Sequence, residues 1–180
     1  MYCGSNRTAI QSQRQISEAM MALLGEKAFS QITVSELCKA AGISRQTFYS
    51  LFTSRENVMM FTLQLRGCDG PRIAGADTSD DSALRRLCRG YSEYMLRNRE
   101  LIKLLVDNHI DHLLYDSFFG AMDGCDCFLS GLDPCVRGYA ASFYAGGFAC
   151  VARRYAEEGC VSGAQQLEDM LMTLMAGRLF

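Results

Sequence analysis

Tryptophan is absent, proline occurs only twice in 180 residues, and runs of alternating Val, Ile and Thr are missing. Without such runs there is little from which to build half-buried strands. With so few prolines, long stretches of chain can stay helical without interruption. The composition therefore predicts an all-α protein. A membrane span is lacking as well: the longest uncharged run, Gly138 to Ala152, has fifteen residues, several of them small or polar, against the roughly 20 apolar residues a helix needs to cross a bilayer. The first ten residues, MYCGSNRTAI, have no apolar core of the kind a signal peptide carries. No C-x-x-C pair occurs, and nine cysteines is an odd count, whereas small secreted disulfide scaffolds use even counts. Free thiols in a reducing compartment follow. Nor is there a G-x-S-x-G, an H-E-x-x-H or a phosphate-cradling glycine loop to accompany the two histidines. A soluble, cytoplasmic protein that is not an enzyme is the expectation.

Hydrophobic residues make up 49% of the chain, enough for a real core. Formal charge is −2 overall but unevenly divided. Residues 1 to 66 hold seven Lys/Arg against four Asp/Glu, and the remainder holds eleven against sixteen. The positive balance accompanies the most informative stretch, Thr33 to Glu56. Thr33 can cap a first short helix, and Glu36, three residues on, can bond back to the Thr33 N–H to close a capping box. Val34, Leu37 and Ala41 share one face. Gly42 follows where a left-handed backbone costs glycine little, Ile43 is the apolar turn residue, and Ser44 is the N-cap of a second helix. In that helix Phe48, Leu51 and Phe52 repeat at i, i+3 and i+4, leaving Arg45, Gln46, Tyr49 and Ser50 facing outward. This is a helix-turn-helix whose second helix is apolar beneath and hydrogen-bonding above. With no carboxylate among Arg45, Gln46, Thr47, Tyr49 and Ser50, the outer face can meet phosphates without repulsion. Arg and Gln suit guanine and adenine edges, the Thr47 methyl suits thymine, and the Tyr and Ser hydroxyls reach backbone oxygens. Thr53 and Glu56 predict a second capping box. Arg55, in the first turn of that helix, is a cation at the unfavourable end of the helix dipole, which a phosphate partner would explain.

The run Thr47-Phe48-Tyr49-Ser50-Leu51-Phe52, followed by Arg55-Glu56, resembles the signature of the tetracycline-repressor (TetR) family of bacterial transcription factors. The resemblance covers roughly Ser12 to Leu65. It implies base contacts from Arg45, Gln46 and Thr47 and phosphate contacts from Tyr49 and Arg55, with Thr33, Ser44 and Ser50 completing the DNA-facing set. Two residues depart from the family pattern: Leu51 stands where many members carry His, and Arg55 where Lys is common.

Around this stretch the sequence predicts a first helix from about Thr8 to Ala28, with Ile16, Ala19, Met20, Leu23 and Leu24 on one face, and a linking helix from about Ser54 or Arg55. The expected organisation is a DNA-binding domain over 1–66, a Gly/Asp/Ser-rich linker over 67–81 and a C-terminal domain over 82–180, with about nine helices in all. Leu84, Leu87, Cys88, Tyr91 and Met95 mark the inward face of a helix that breaks near Asn98, and a second break falls near Asn108. A long helix from about Cys135 to Glu158 carries Tyr139, Phe143, Gly146, Gly147, Cys150, Val151 and Tyr155 on one broad face. A last helix repeats Leu167, Met170, Leu171, Leu174 and Met175. Two such helices from each of two chains can form an intermolecular four-helix bundle with two-fold symmetry. The segment YAGGFACVARRYAEEG is similar to the penultimate helix of many TetR-family members, where that bundle is the dimer interface.

Other residue groups were weighed for ligands. His109 and His112, with Cys125, Cys127 and nearby acids, have the donor types zinc uses, but the spacing matches no structural zinc pattern, and no metal or cofactor is expected. The acids also raise thiol pKa values and suppress redox reactivity. The family resemblance implies a small-molecule effector in the C-terminal domain, with Tyr91, Tyr94, His109, His112, Tyr115 and Phe119 as candidate lining. The resulting expectation is a homodimeric, operator-binding regulator that represses until an effector releases it. The alternative is a co-regulator of the same fold that works mainly through protein–protein binding.

Overall fold

The computed structural model describes residues 4, 6–67, 81–125 and 128–176, with residues 81–83 described for their backbone alone. Most of the expected linker, together with Asp126 and Cys127, lies outside the described residues. Among those residues the chain is helical throughout: α1 Arg7–Leu24, a 3-10 turn Phe29–Gln31, α2 Val34–Ala41, α3 Arg45–Leu51, α4 Arg55–Gly67, α5 Asp81–Arg97, α6 Arg99–Asp107, α7 His112–Asp123, α8 Pro134–Glu157 and α9 Ala164–Met175. It divides into two compact units, Met1–Leu65 and Arg66–Phe180.

In the first unit α1 buries Ile16, Ala19, Met20 and Leu24 and packs on α2. It ends at Leu24, short of the expected Ala28. Gly25, a poor helix former, turns its N–H back to the carbonyls of Ala22 and Met21, and extended Ala28 then leads into the turn that buries Phe29. One polar pair crosses this core. The Ser17 and Thr62 hydroxyls lie 2.7 Å apart, and Thr62 donates to the Val58 carbonyl at 2.9 Å, so Ser17 supplies the proton between them. That arrangement satisfies both buried hydroxyls, as a dry interior requires. The expected box between Thr53 and Glu56 is not what starts α4. Ser54 immediately precedes the helix and accepts from the Asn57 N–H at 3.2 Å, while the Thr53 hydroxyl bonds the Asn57 side chain. The cap falls on the residue adjoining the first helical position, one place later than the spacing suggested.

In the second unit α5 packs on α9, and α8 on α6 and α7. Both expected breaks fall on asparagines. Asn98 is buried, and its side-chain amide donates to the Tyr94 carbonyl at 3.0 Å while its own carbonyl accepts from Ile102 N at 2.9 Å. Asn108 donates its side-chain amide to the Leu104 carbonyl at 2.9 Å, and His109 then adopts a left-handed φ of 57° that stops the helix. Asp133 caps α8 through the Cys135 N–H, with Pro134 in the first turn, where its missing N–H costs nothing. The core is aromatic where α5, α7 and α8 meet. Tyr91 stacks on Phe148 with centroids 3.9 Å apart, and both Tyr91 and Tyr94 meet Phe118 edge-on. Glu168 of α9 is buried but ion-paired to two arginines of α5, Arg85 at 3.2 Å and Arg89 at 3.1 Å. These bonds to arginine hold its carboxyl below the usual range. Among the described residues no helix is long and apolar enough to cross a membrane.

Candidate nucleic-acid interface

The helix-turn-helix is built by local rules. Thr33 accepts from Glu36 N at 3.2 Å, and the Glu36 carboxylate accepts from Thr33 N at 2.9 Å and from the Thr33 hydroxyl at 2.8 Å. Both halves of the expected capping box are present. α2 closes on Gly42, at φ 67°, a left-handed conformation that a side chain would strain. The Ser44 hydroxyl accepts from Thr47 N at 3.0 Å and starts α3. Beneath α3, Phe48, Leu51 and Phe52 are buried. Above it, Arg45, Gln46, Tyr49 and Ser50 are exposed and Thr47 is half-buried.

The outward groups are not equally available. Among the described residues, Arg45 and Gln46 form no hydrogen bond or ion pair with a side chain. Tyr49 braces its ring edge-on against Phe48 at 5.3 Å and is 52% exposed, so its hydroxyl projects from a fixed ring. Ser50 donates to the Thr47 carbonyl at 2.7 Å, and the Thr47 and Ser44 hydroxyls lie 2.9 Å apart. The Ser50 donor is thus spent within the helix, and one of the Ser44 and Thr47 hydroxyls donates to the other. The Thr33 hydroxyl is likewise committed to Glu36.

Arg55 has protein partners that the sequence did not suggest. Its guanidinium donates to the Phe29 carbonyl at 2.9 Å and to the Ile32 carbonyl, and sits 4.8 Å from the centre of the Phe29 ring. Within the chain, these carbonyl oxygens offset the cation at the start of α4. Lys27, also missed, ion-pairs with Glu36 at 2.6 Å. No spacing rule links positions in different elements, so neither contact could be read from the chain.

The remaining candidate residues separate into groups. On α8, Tyr139 and Phe143 are 75% and 70% exposed, Val136 and Cys150 are exposed, and a Cβ added at Gly146 would meet nothing within 4 Å. Gly147 faces the same chain instead, since its Cβ would lie 3.2 Å from the Met175 Cε. On α9, Met170 and Leu174 are 40% and 41% exposed, whereas Leu167 and Leu171 are buried in the chain's own core. Of the candidate lining residues, Tyr91 and Tyr94 are buried, Tyr115 and Phe119 are half-buried and stack on each other at 5.9 Å, and His109 and His112 are exposed. Cys125 is half-buried, and among the described residues no group of three or more His, Cys, Asp or Glu is placed to hold a metal.

The cap of α2 has a defined pH response. Hydrogen bonding from Lys27 first, then from the Thr33 backbone and hydroxyl, lowers the Glu36 carboxyl from 4.5 to about 2. A depressed carboxyl stabilises the fold above its ordinary range, and the contribution is lost as pH falls toward the folded value. Glu36→Gln is therefore expected to lower the thermal midpoint at pH 7, and the gap to the unsubstituted protein should shrink steadily below pH 4.5. A gap independent of pH would assign the effect to packing instead.

Comparison with known proteins matches this geometry. The sequence profile described as "Bacterial regulatory proteins, tetR family" matches residues 16–59, which run from within α1 into α4. The HTH-type transcriptional regulator EthR of Mycolicibacterium smegmatis (strain ATCC 700084 / mc(2)155) is 40% identical over 65 residues. That stretch covers 36% of this chain and only 27% of the relative. Among solved structures, Lin0861 from Listeria innocua superposes with a TM-score of 0.74 over 98% of this chain and 95% of its own, at 13% identity. The fatty acid degradation regulator FadR from Bacillus halodurans does so with a TM-score of 0.58 over 98% of both chains, at 17% identity. At such identities the structural likeness speaks for the fold, and the sequence matches speak for the helix-turn-helix. With a family profile seated on the α1–α4 module and an all-α fold shared over nearly the whole length, residues 16–59 form a helix-turn-helix segment of the kind found in the tetR family of bacterial regulatory proteins, within a chain that spans about a quarter of the length of the curated relative it matches.

Proposed function

We propose that this chain is a homodimeric repressor that reads a palindromic operator through α3 and is released by a small-molecule effector held in the second unit. The observation that carries the DNA reading is the carboxylate-free outer face of α3, where Arg45 and Gln46 stand exposed. These two have the donor geometry for guanine and adenine edges. The Thr47 methyl is suited to thymine and the braced Tyr49 hydroxyl to a phosphate. Ser44, Ser50 and Thr33 enter as groups bordering the backbone, contributing more through the caps and turns they hold than through free donors. Two copies of α3 related by a dyad would enter successive major grooves, about 34 Å apart.

The dimer reading is supported by α8. Val136, Tyr139, Phe143, Gly146 and Cys150 follow a 3-4-3-4 spacing, which keeps one seam on one side of a helix. Large aromatics 70–75% exposed along such a seam are costly in water and mark an interaction face. Gly146, open on that side, allows a facing backbone to come close. Met170 and Leu174 extend the face from α9, while Leu167, Leu171 and Gly147 act from within the chain.

The effector reading rests on Tyr91. Its hydroxyl is the buried side-chain polar atom that has no hydrogen-bond partner among the described residues. It lies among the rings of Tyr94, Phe118 and Phe148, and burial pushes its phenol well above the usual range and that of Tyr94 up to about 12. A guest that supplied a hydrogen-bond partner would relieve the cost. Tyr115 and Phe119 are the next candidates, and His109 and His112, both exposed, are the weakest. Effector and operator binding would then oppose each other through a coupling of about 1–3 kcal/mol.

Three outcomes test these readings. By fluorescence anisotropy, Arg45→Ala should weaken binding to the DNA just upstream of the chain's own gene by about 1–3 kcal/mol, and Tyr49→Phe by about 1 kcal/mol, with scrambled DNA bound weakly throughout. Equal affinity for both DNAs, unmoved by Arg45→Ala, would favour a co-regulator acting through protein contacts. Tyr139→Glu combined with Phe143→Glu should yield a folded monomer in analytical ultracentrifugation; a dimer that survives both changes places the interface elsewhere. Tyr91→Phe, which deletes only the unpartnered hydroxyl, should stabilise the free protein by about 1 kcal/mol, a rise of roughly 2–4 °C in Tm, and an unchanged or lower Tm would mean that the hydroxyl is already satisfied.

A further inference from the structure

The geometry of Arg55 points to a role other than phosphate contact: we infer that it is a positioning residue that ties the two ends of the helix-turn-helix together and thereby sets how α3 is presented to DNA. The inference rests on the DNA-binding function proposed above. Ile32, one of its two carbonyl acceptors, directly precedes the Thr33 cap of α2, and Arg55 itself opens α4. Everything that reads DNA, α2, its turn and α3, lies in the stretch of chain between these two bonded points. The second acceptor, the Phe29 carbonyl at 2.9 Å, belongs to the 3-10 turn, and the Phe29 ring beneath the guanidinium is itself buried. The anchor is therefore part of the unit's core.

The contact suits arginine. Both carbonyls are met by the two N–H groups of one guanidinium nitrogen, Nη1, while the guanidinium carbon lies over the Phe29 ring, 4.8 Å from its centre. A lysine ammonium has donors enough for two carbonyls and could serve as a point cation toward a phosphate, but its side chain ends one bond short of Nη1, so it does not reach both carbonyls while keeping its charge over Phe29. The positive charge also suits its place: the carbonyls offset the unfavourable end of the α4 dipole, and hydrogen bonds from a charged donor are about twice as strong as neutral ones. With its guanidinium so engaged, Arg55 acts on DNA through the orientation of Arg45 and Gln46, not by touching it. At the same end of α2, Lys27, Glu36 and Thr33 hold the first turn, but all of these lie before α3. The Ser17–Thr62 hydroxyl pair also joins α1 to α4, but Arg55 is where hydrogen bonds return the start of α4 to the residues that lead directly into α2.

Arg55→Ala and Arg55→Lys, each confirmed as folded by circular dichroism and studied well below its melting temperature, test this in two arms. In the free proteins, amide hydrogen exchange should quicken across residues 33–52 in both variants and stay unchanged in α1. On DNA, both variants should lose about tenfold in affinity for the upstream duplex, with no loss on scrambled DNA and an unaltered slope of log affinity against log salt. If Lys restores binding, and Ala lowers the salt slope by about 1 and weakens both DNAs equally, Arg55 is a phosphate contact and the inference fails. It fails too if exchange is unchanged, or if exchange quickens while operator affinity does not fall. A natural protein that shows no preference for the upstream DNA refutes the function proposed above, and the exchange arm then decides the tie by itself.

Discussion

Burial of Phe48, Leu51 and Phe52 beneath α3 is the constraint on which the polar outer face of this helix depends. A seven-residue helix is too short to persist in water by itself, so α3 exists because its apolar side is taken up by the core of the first unit. The same burial fixes which way the other side faces. Rotating the helix to hide Arg45 or Gln46 would expose two phenylalanines and a leucine, at about 1.5–3 kcal/mol for each large apolar side chain. The polar face is thus held outward by what lies under it, and Tyr49 borrows the same stiffness by resting its ring on Phe48.

Polar groups in the first unit complete this arrangement by closing the ends that burial leaves open. Helices as short as α2 and α3 leave most of their backbone donors and acceptors unpaired within the helix. Thr33, Glu36 and Ser44 satisfy the donors, Gly42 permits the reversal, and Arg55 takes up two carbonyls that precede α2. None of these groups is buried deeply, yet each removes a way in which the helix pair could fray. The second unit uses its polar groups differently. The ion pairs of Glu168 join α5 to α9, and Asn98 and Asn108 mark where one helix stops and the next begins. The Tyr91 hydroxyl is left over from this accounting, its ring packed against those of Tyr94, Phe118 and Phe148.

The caps of α2 and α3, the turn glycine, the burial pattern of α3 and the breaks at Asn98 and Asn108 were legible in the chain, because each depends on residues within about four positions of one another. The start of α4 was misread by one place, since Thr53 and Ser54 both have hydroxyls and only the backbone path decides which adjoins the helix. The end of α1 was misread because the helix was carried through Gly25 to Ala28, whereas Gly25 is its C-cap and Ala28 is already extended. The face of α9 was read as one stripe. In the fold, α9 packs on α5 with Leu167 and Leu171 buried and Met170 and Leu174 left exposed, a division that only the packing decides.

By itself the sequence determined that this protein is helical, where its helix-turn-helix lies, and which side of α3 is polar, because those properties follow from period, capping chemistry and composition over short separations. Only the tertiary structure decided which of the polar groups remain free. Arg45 and Arg55 are equivalent in composition, ten positions apart on neighbouring helices, yet one stands in solvent and the other closes on the carbonyls of Phe29 and Ile32. The same holds for Gly146 and Gly147, adjacent in the chain, of which one is open and the other lies against Met175. Availability is a property of what packs nearby, and the packing partners lie more than twenty residues away.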